Sequence, residues 1–170
     1  MKRITLVLAL LLSSCAGIQT LSRDYKEPTE GPMAKVRFST NGELRLIPNR
    51  SCRDWTAPNS GVVVSNKSYL TGKPALIGQK IGMLGETPAG ISSAEVRVVA
   101  NQPITVDFEG RIEDGDWIYT CRGTVAFVPK ANEEYQMTVE LDAEARKCKY
   151  PVLSLTNPRT AVQLRFVEAC

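Results

Sequence analysis

The chain has 170 residues, 43% hydrophobic, with 21 Lys and Arg against 18 Asp and Glu, which suits one domain with a real core and little else. Its charge is nearly balanced and forms no basic cluster, which argues against nucleic acid as a partner. It contains no histidine, so Ser-His-Asp and Cys-His catalysis, His-ligated metals and the usual general base near neutral pH are excluded.

Met1, Lys2 and Arg3 precede an apolar run over 4–12 and then Ser13, Ser14 and Cys15. Two positive charges followed by a short apolar run form an export signal. A run of nine residues is too short to span a bilayer, which takes roughly 20 apolar residues. The tetrapeptide Leu12-Ser13-Ser14-Cys15 resembles the lipobox of bacterial lipoprotein precursors. The resemblance implies a diacylglycerol thioether on Cys15, cleavage between Ser14 and Cys15, and acylation (palmitate or a similar chain) of the new amino terminus. Several acyl chains hold a protein durably where one is marginal, each buried CH₂ contributing ~0.8 kcal/mol. Ala16 stands where Asp would resemble an inner-membrane retention signal. The chain is thus similar to the small outer-membrane lipoproteins of Gram-negative bacteria, anchored by lipid with either face of that membrane open to it.

On this reading residues 1–14 are a signal peptide and 15–33 a lipidated N-terminus and flexible tether. A single domain occupies 34–170. Removing 14 residues, with Lys2 and Arg3 among them, leaves 156, carrying 19 basic and 18 acidic side chains. The tether reading rests on Asp24, Lys26, Glu27, Pro28, Glu30 and Pro32. Fully extended, such a spacer reaches up to ~60 Å.

From Lys35 the pattern is that of strands. Val36 and Phe38 alternate with charged residues, Asn41-Gly42 supplies a turn, and Leu44 and Leu46 alternate again. A three-residue connection over 41–43 keeps Phe38 opposite Leu46 on one apolar face. Region 48–93 is irregular apart from a short buried strand over Gly61–Ser65, and so long an irregular stretch often carries function. Val96 and Val98 mark a strand. Ile104, Val106, Phe108 and Ile112 then share a face, and Asp114-Gly115 predicts a two-residue hairpin placing Phe108 opposite Cys121 and Ile104 opposite Val125. Tyr135, Met137, Val139 and Leu141 alternate on the next strand. Cys148, Tyr150 and Val152 follow on another, and Val162, Leu164 and Phe166 on a last one. No long 3.6-residue period appears. The fold expected is all-β, an antiparallel β-sandwich of immunoglobulin-like or transthyretin-like type.

Besides Cys15, the cysteines are Cys52, Cys121, Cys148 and Cys170. An even set in an exported domain reads as two disulfides; a metal site would lack close C-x-x-C pairs and histidine. In a flat meander Leu141 would separate Cys121 from Cys148 by two strand spacings, roughly 9–10 Å and beyond bridging range. Pairing 121–148 and 52–170 is favoured and requires the chain to cross between sheets after Leu141.

Candidate chemistry is sparse. No G-x-S-x-G elbow or phosphate loop occurs; no catalytic residue, cofactor or metal is expected. Glu113-Asp114-Gly115-Asp116 reads as a solvated turn rather than a Ca²⁺ loop. Arg50, Arg53 and Trp55 form the one candidate binding loop, a tryptophan beside arginines on a disulfide-anchored segment able to take a glycan or peptide. The competing and favoured reading buries Trp55 in the core against the disulfide. The expected function is therefore non-catalytic: a membrane-anchored module that binds or supports another envelope protein or glycan. The alternatives are a surface adhesin or inhibitor, and a glycan hydrolase using only carboxylates, for which Asp54, Glu86, Asp107 and Glu109 would have to converge.

Overall fold

The computed structural model describes residues 23–66, 76–142, 144–156 and 160–170. Cys15 and the signal and anchor expected around it lie outside the described residues. Among those described there are ten strands and no helix: β1 (Met33–Thr40), β2 (Glu43–Pro48), β3 (Gly61–Ser65), β4 (Ser92–Val99), β5 (Ile104–Asp114), β6 (Trp117–Phe127), β7 (Glu134–Asp142), β8 (Lys147–Lys149), β9 (Val152–Ser154) and β10 (Arg165–Phe166). They form two sheets. The first runs β4-β1-β7-β8, with β9 also on β7; the second runs β10-β6-β5-β2-β3. Every pair is antiparallel except β1 with β7. The all-β, mostly antiparallel and disulfide-bonded expectation holds.

Strand alternation builds the core. Val36 and Phe38 of β1, Val96 of β4 and Met137 of β7 meet Leu46 of β2 and Phe108 of β5, each at most 1% exposed and all in one apolar cluster. Each such side chain contributes roughly 1.5–3 kcal/mol by leaving water. Val62, Val63 and Val64 are fully buried, as the continuous apolar run of β3 anticipates.

Several expected details are different. Asn41-Gly42 does not close a hairpin, because β1 and β2 belong to different sheets. Asn41 instead pins β7: its Nδ2 donates to the Leu141 carbonyl and its Oδ1 accepts from the Leu141 amide, both at 3.1 Å. Gly42 lets the crossing chain lie against β5, since a Cβ there would come within 2.5 Å of the Glu109 carbonyl and 2.6 Å of the Phe108 ring. Phe38 and Leu46 do face one core, but from opposite sheets.

The β5–β6 hairpin exists with a register two residues away from the one expected. Asp114 pairs with Trp117, so Phe108 lies opposite Gly123 and Ile104 opposite Phe127. The turn is Gly115–Asp116, with φ of +59° at Gly115 alone, the glycine-first pattern of a type II′ turn. A shift of two leaves each side chain on its own face, so the inward set survives. Gly123 is needed there, because a Cβ would run into the Tyr150 hydroxyl.

The segment expected to be tether is partly built into the domain. The Val62 amide donates to the Arg23 carbonyl at 2.8 Å, the Tyr25 amide to the Val62 carbonyl at 3.0 Å, and Tyr25 is 3% exposed. Residues 23–25 therefore continue the second sheet beyond β3 and cover its edge, and Gly61 admits their close approach. At the far end, the strand expected over Cys148, Tyr150 and Val152 is broken at Tyr150–Pro151 into β8 and β9. The last strand shrinks to two residues, and Phe166 is 76% exposed.

The disulfides join Cys52 to Cys170 and Cys121 to Cys148, with Cα atoms 5.2 and 5.8 Å apart. The crossing that permits the second comes earlier than expected. The chain changes sheets between β6 and β7, so Leu141 never stands between the two cysteines, and the bridge ties one sheet to the other.

Candidate functional site

The outward face of the second sheet is polar by simple alternation. Glu43 and Arg45 of β2 lie beside Glu109 and Asp107 of β5, which lie beside Arg122 and Thr124 of β6. The loop over 50–60 folds back across this face and brings Trp55 down onto it. Trp55 Nε1 donates to Asp107 Oδ2 at 2.9 Å, and Thr124 Oγ1 donates to Asp107 Oδ1 at 2.7 Å, so both carboxylate oxygens are engaged. The guanidinium carbons of Arg45 and Arg53 lie 5.5 and 5.6 Å from the Trp55 ring centroid, within cation–π range.

The loop is held at many points. Arg23 donates from one nitrogen to the carbonyls of Trp55 (2.9 Å) and Ala57 (2.6 Å) and to Ser60 Oγ. The Arg53 amide donates to the Glu168 carbonyl at 2.8 Å, beside the Cys52–Cys170 bridge. Asp54 accepts from the amide and hydroxyl of Thr56 and pairs with Arg50 at 3.5 Å. Its carboxyl is held below the usual aspartate range, first by the Thr56 hydroxyl and further by the Thr56 amide and Arg50.

Trp55 thus stays outside. It is 39% exposed, against the expectation that it fills the core: its loop crosses the outer face, and the disulfide that was to bury it instead staples the loop to the C-terminus. Arg53 is beside it and exposed; Arg50 is exposed too, but faces Asp54 rather than the ring. Beside Trp55 is a pocket of about 270 Å³ lined by Arg53, Asp107, Glu109 and Arg122. Past Arg53 and Arg122 the surface continues into a wider hollow of about 500 Å³ against Phe166 and Glu168. Tyr150 lies beneath, edge-on to Phe108 and Phe166; burial and, less, the charge of Asp107 push its hydroxyl up to about 12, so it stays neutral.

Of the four carboxylates named for hydrolysis, Asp107 and Glu109 share this pocket. Asp54 belongs to the neighbouring loop, and Glu86 lies over the other sheet, where its carbonyl accepts from Arg37. Glu109 pairs with Arg122 at 3.0 Å. Among the described residues no group of three or more Cys, Asp or Glu is placed to hold a metal ion. Sequence reasoning named Trp55 and Arg53 but missed Arg45 and Thr124, whose outward parity beside Asp107 was the available signal.

A second polar cluster lies on the outer face of the first sheet. Arg37 and Glu95, both 2% exposed, form an ion pair at 2.7 Å. The segment 79–86 passes over it as a strap. Arg37 donates to the carbonyls of Met83, Leu84, Gly85 and Glu86, while Glu95 accepts from the amides of Ile81 and Met83. Burial alone would raise the Glu95 carboxyl, but the Ile81 amide, Arg37 and the Met83 amide outweigh it and hold the group below the usual range. This cluster is sealed and offers no surface.

No protein-family model, curated protein or solved structure matches the chain.

Proposed function

We propose that the chain is a non-catalytic, lipid-anchored module of the bacterial outer membrane, and that its Trp55 face binds another envelope component, a glycan or a polypeptide. The anchor at Cys15 is argued from the lipobox, and two disulfides agree with an oxidising compartment. The immunoglobulin-like or transthyretin-like character belongs to the same proposal, supported by two sheets on one core with a bridge between them. The observation that carries the binding reading is Trp55: a large aromatic held half-exposed by Asp107, Arg45 and Arg53 on a stapled loop. Rigid aromatics beside arginines are what recognition surfaces concentrate, and here the ring costs no ordering on binding.

The hydrolase reading has one observation in its favour, the shared pocket of Asp107 and Glu109. Against it, Asp107 has both oxygens hydrogen-bonded and Glu109 is paired with an arginine, so both carboxylates are already engaged.

The test is titration of the mature protein with peptidoglycan fragments, lipopolysaccharide sugars and periplasmic proteins, in a Trp117→Phe background so that Trp55 is the only reporter of fluorescence. Saturable change abolished by Trp55→Ala supports the proposal. Unchanged binding in Trp55→Ala removes the face from it, and cleavage of a glycan lost in Glu109→Gln would establish the enzyme instead.

A further inference from the structure

Among the described residues, the second sheet ends on an open strand beyond the Trp55 pocket, at β6. The β5–β6 hairpin overhangs the second sheet: β2 stops pairing with β5 at Glu109, and β10 covers β6 only at Val125 and Ala126. The last contact on that side is the Val167 amide donating to the Thr124 carbonyl at 3.1 Å, after which the chain turns toward Arg53. Backbone groups of alternate residues share a side of a strand, so those of Ile118, Thr120 and Arg122 point outward like those of Thr124. Among the described residues nothing on the backbone meets them. Trp117 and Ile118 are 69% and 57% exposed beside this edge. An unprotected edge of this length with exposed apolar side chains is a template for strand addition.

We infer that the edge of β6 pairs antiparallel with the same edge of a second copy of this chain. Length and charge together select one register. A strand added here runs up to Gly123 before it meets Val167, and the incoming copy turns back at Gly115–Asp116. Both limits are met when Ile118 pairs with Thr120 of the other copy. One step further would drive Asp116 into the place of Val167. In this register Asp116 lies opposite Arg122 of the other copy, twice over by symmetry, and opposite charges across a strand pair are favourable. On the other face Tyr119 meets its own counterpart on the two-fold axis, and Trp117 lies over Cys121 of the other copy. No like charges stand opposite one another along the paired strands. The Cys121–Cys148 bridge and Arg146, stacked 4.9 Å over the Tyr119 ring, tie the overhanging hairpin to the first sheet. The edge meets the Trp55 pocket at Arg122, which lines that pocket and pairs with Glu109, but the inference stands without the binding reading because it rests on the backbone edge of β6.

Tyr119 occupies a non-hydrogen-bonded pair on the axis, the position at which two cysteines come within bridging distance. The experiment is disulfide trapping of the full chain in cells. Tyr119→Cys is expected to give a covalent dimer on non-reducing gels, and Arg111→Cys, on the far strand of the same hairpin, is not. Thr120→Pro removes only an outward-pointing amide, which an edge strand tolerates; added to Tyr119→Cys it should reduce the dimer at least tenfold. Asp116→Arg should also deplete the dimer, and Arg122→Asp combined with it should restore most of the yield, a rescue that misfolding would not produce. In solution the pairing should be a mass-action dimer with a dissociation constant of roughly 10–100 µM, the weak regime of interfaces below ~1,200 Å². No dimer from Tyr119→Cys, equal dimer from Arg111→Cys, or trapping of a different protein in its place would overturn the inference.

Discussion

The two sheets each carry polar side chains on the outer face, and each face is crossed by an irregular segment, yet the outcomes are opposite. Over the first sheet, the strap at 79–86 closes on Arg37 and Glu95 until both are 2% exposed. Over the second, the loop at 50–60 lands on Asp107 and leaves Trp55 39% exposed beside an open pocket. The difference lies in which groups satisfy the charges. Arg37 spends its donors on a carboxylate and four carbonyls of the strap, so the ion pair holds a loop down. On the other face the loop is fixed from outside, by Arg23 and the Cys52–Cys170 bridge, and the ring and arginines over Asp107 remain presented to solvent. Charge on the first face is sealed beneath its loop, and on the second it stays paired at the surface around Trp55.

If that division is right, the largest loss of stability follows from Arg37. Arg37→Ala leaves buried Glu95 with only the longer contact to Lys80 at 3.8 Å and four strap carbonyls without this donor, and removal of one partner of a buried pair costs about 3–5 kcal/mol. Urea unfolding of the domain measures it; a loss below about 1 kcal/mol would put the strap's ion pair on the same footing as a surface pair. Next comes the staple. Replacing Cys52 and Cys170 by Ser is expected to cost about 2–4 kcal/mol, and the sharper signature is local: exchange of the amide at Arg53, bonded to the Glu168 carbonyl, should accelerate far more than that at Ile81 in the strap.

The strand content and the inward residues of β4, β5 and β7 were legible because period-two alternation writes itself directly into sequence. Which strands pair was not. Asn41-Gly42 has the composition of a hairpin turn, and only the Asn41 bonds to Leu141 and the crowding at Gly42 reveal a crossing between sheets. The same blindness misplaced the crossing that allows the Cys121–Cys148 bridge. Residues 23–25 read as spacer because their partners, on β3, lie nearly forty residues away. At the site, Trp55 and Arg53 stood out by residue type. Asp107, the group that turns Trp55 outward, looked like any exposed strand carboxylate, and no local pattern announces a loop that folds across a sheet.

Acid sharpens the comparison with a smaller effect. Glu95 titrates below the usual carboxylate range in the folded chain, so its charged form is favoured by folding. Its contribution is full above the ordinary glutamate value and is lost as pH falls through the depressed one. Amides of Ile81 and Met83, which donate to Glu95, should therefore lose exchange protection selectively below about pH 4, before the β5–β6 ladder does. Loss of both together would make the strap part of the global unit.

The smallest effect is the most telling for the Trp55 face. Trp55→Phe keeps an aromatic surface between the arginines and removes the indole N–H that reaches Asp107 Oδ2. A hydrogen bond at a partly exposed site contributes about 1 kcal/mol or less, because water can replace it. Stability should therefore barely move, in contrast to Arg37→Ala, while ligand affinity at the pocket should fall at least several-fold as the ring loses its fixed orientation. That pairing of small structural cost with large binding loss is what separates a presented aromatic from a packing one. Were Trp55→Phe to cost as much as Arg37→Ala, the ring would be holding the second face closed just as Arg37 holds the first, and the two faces would be alike.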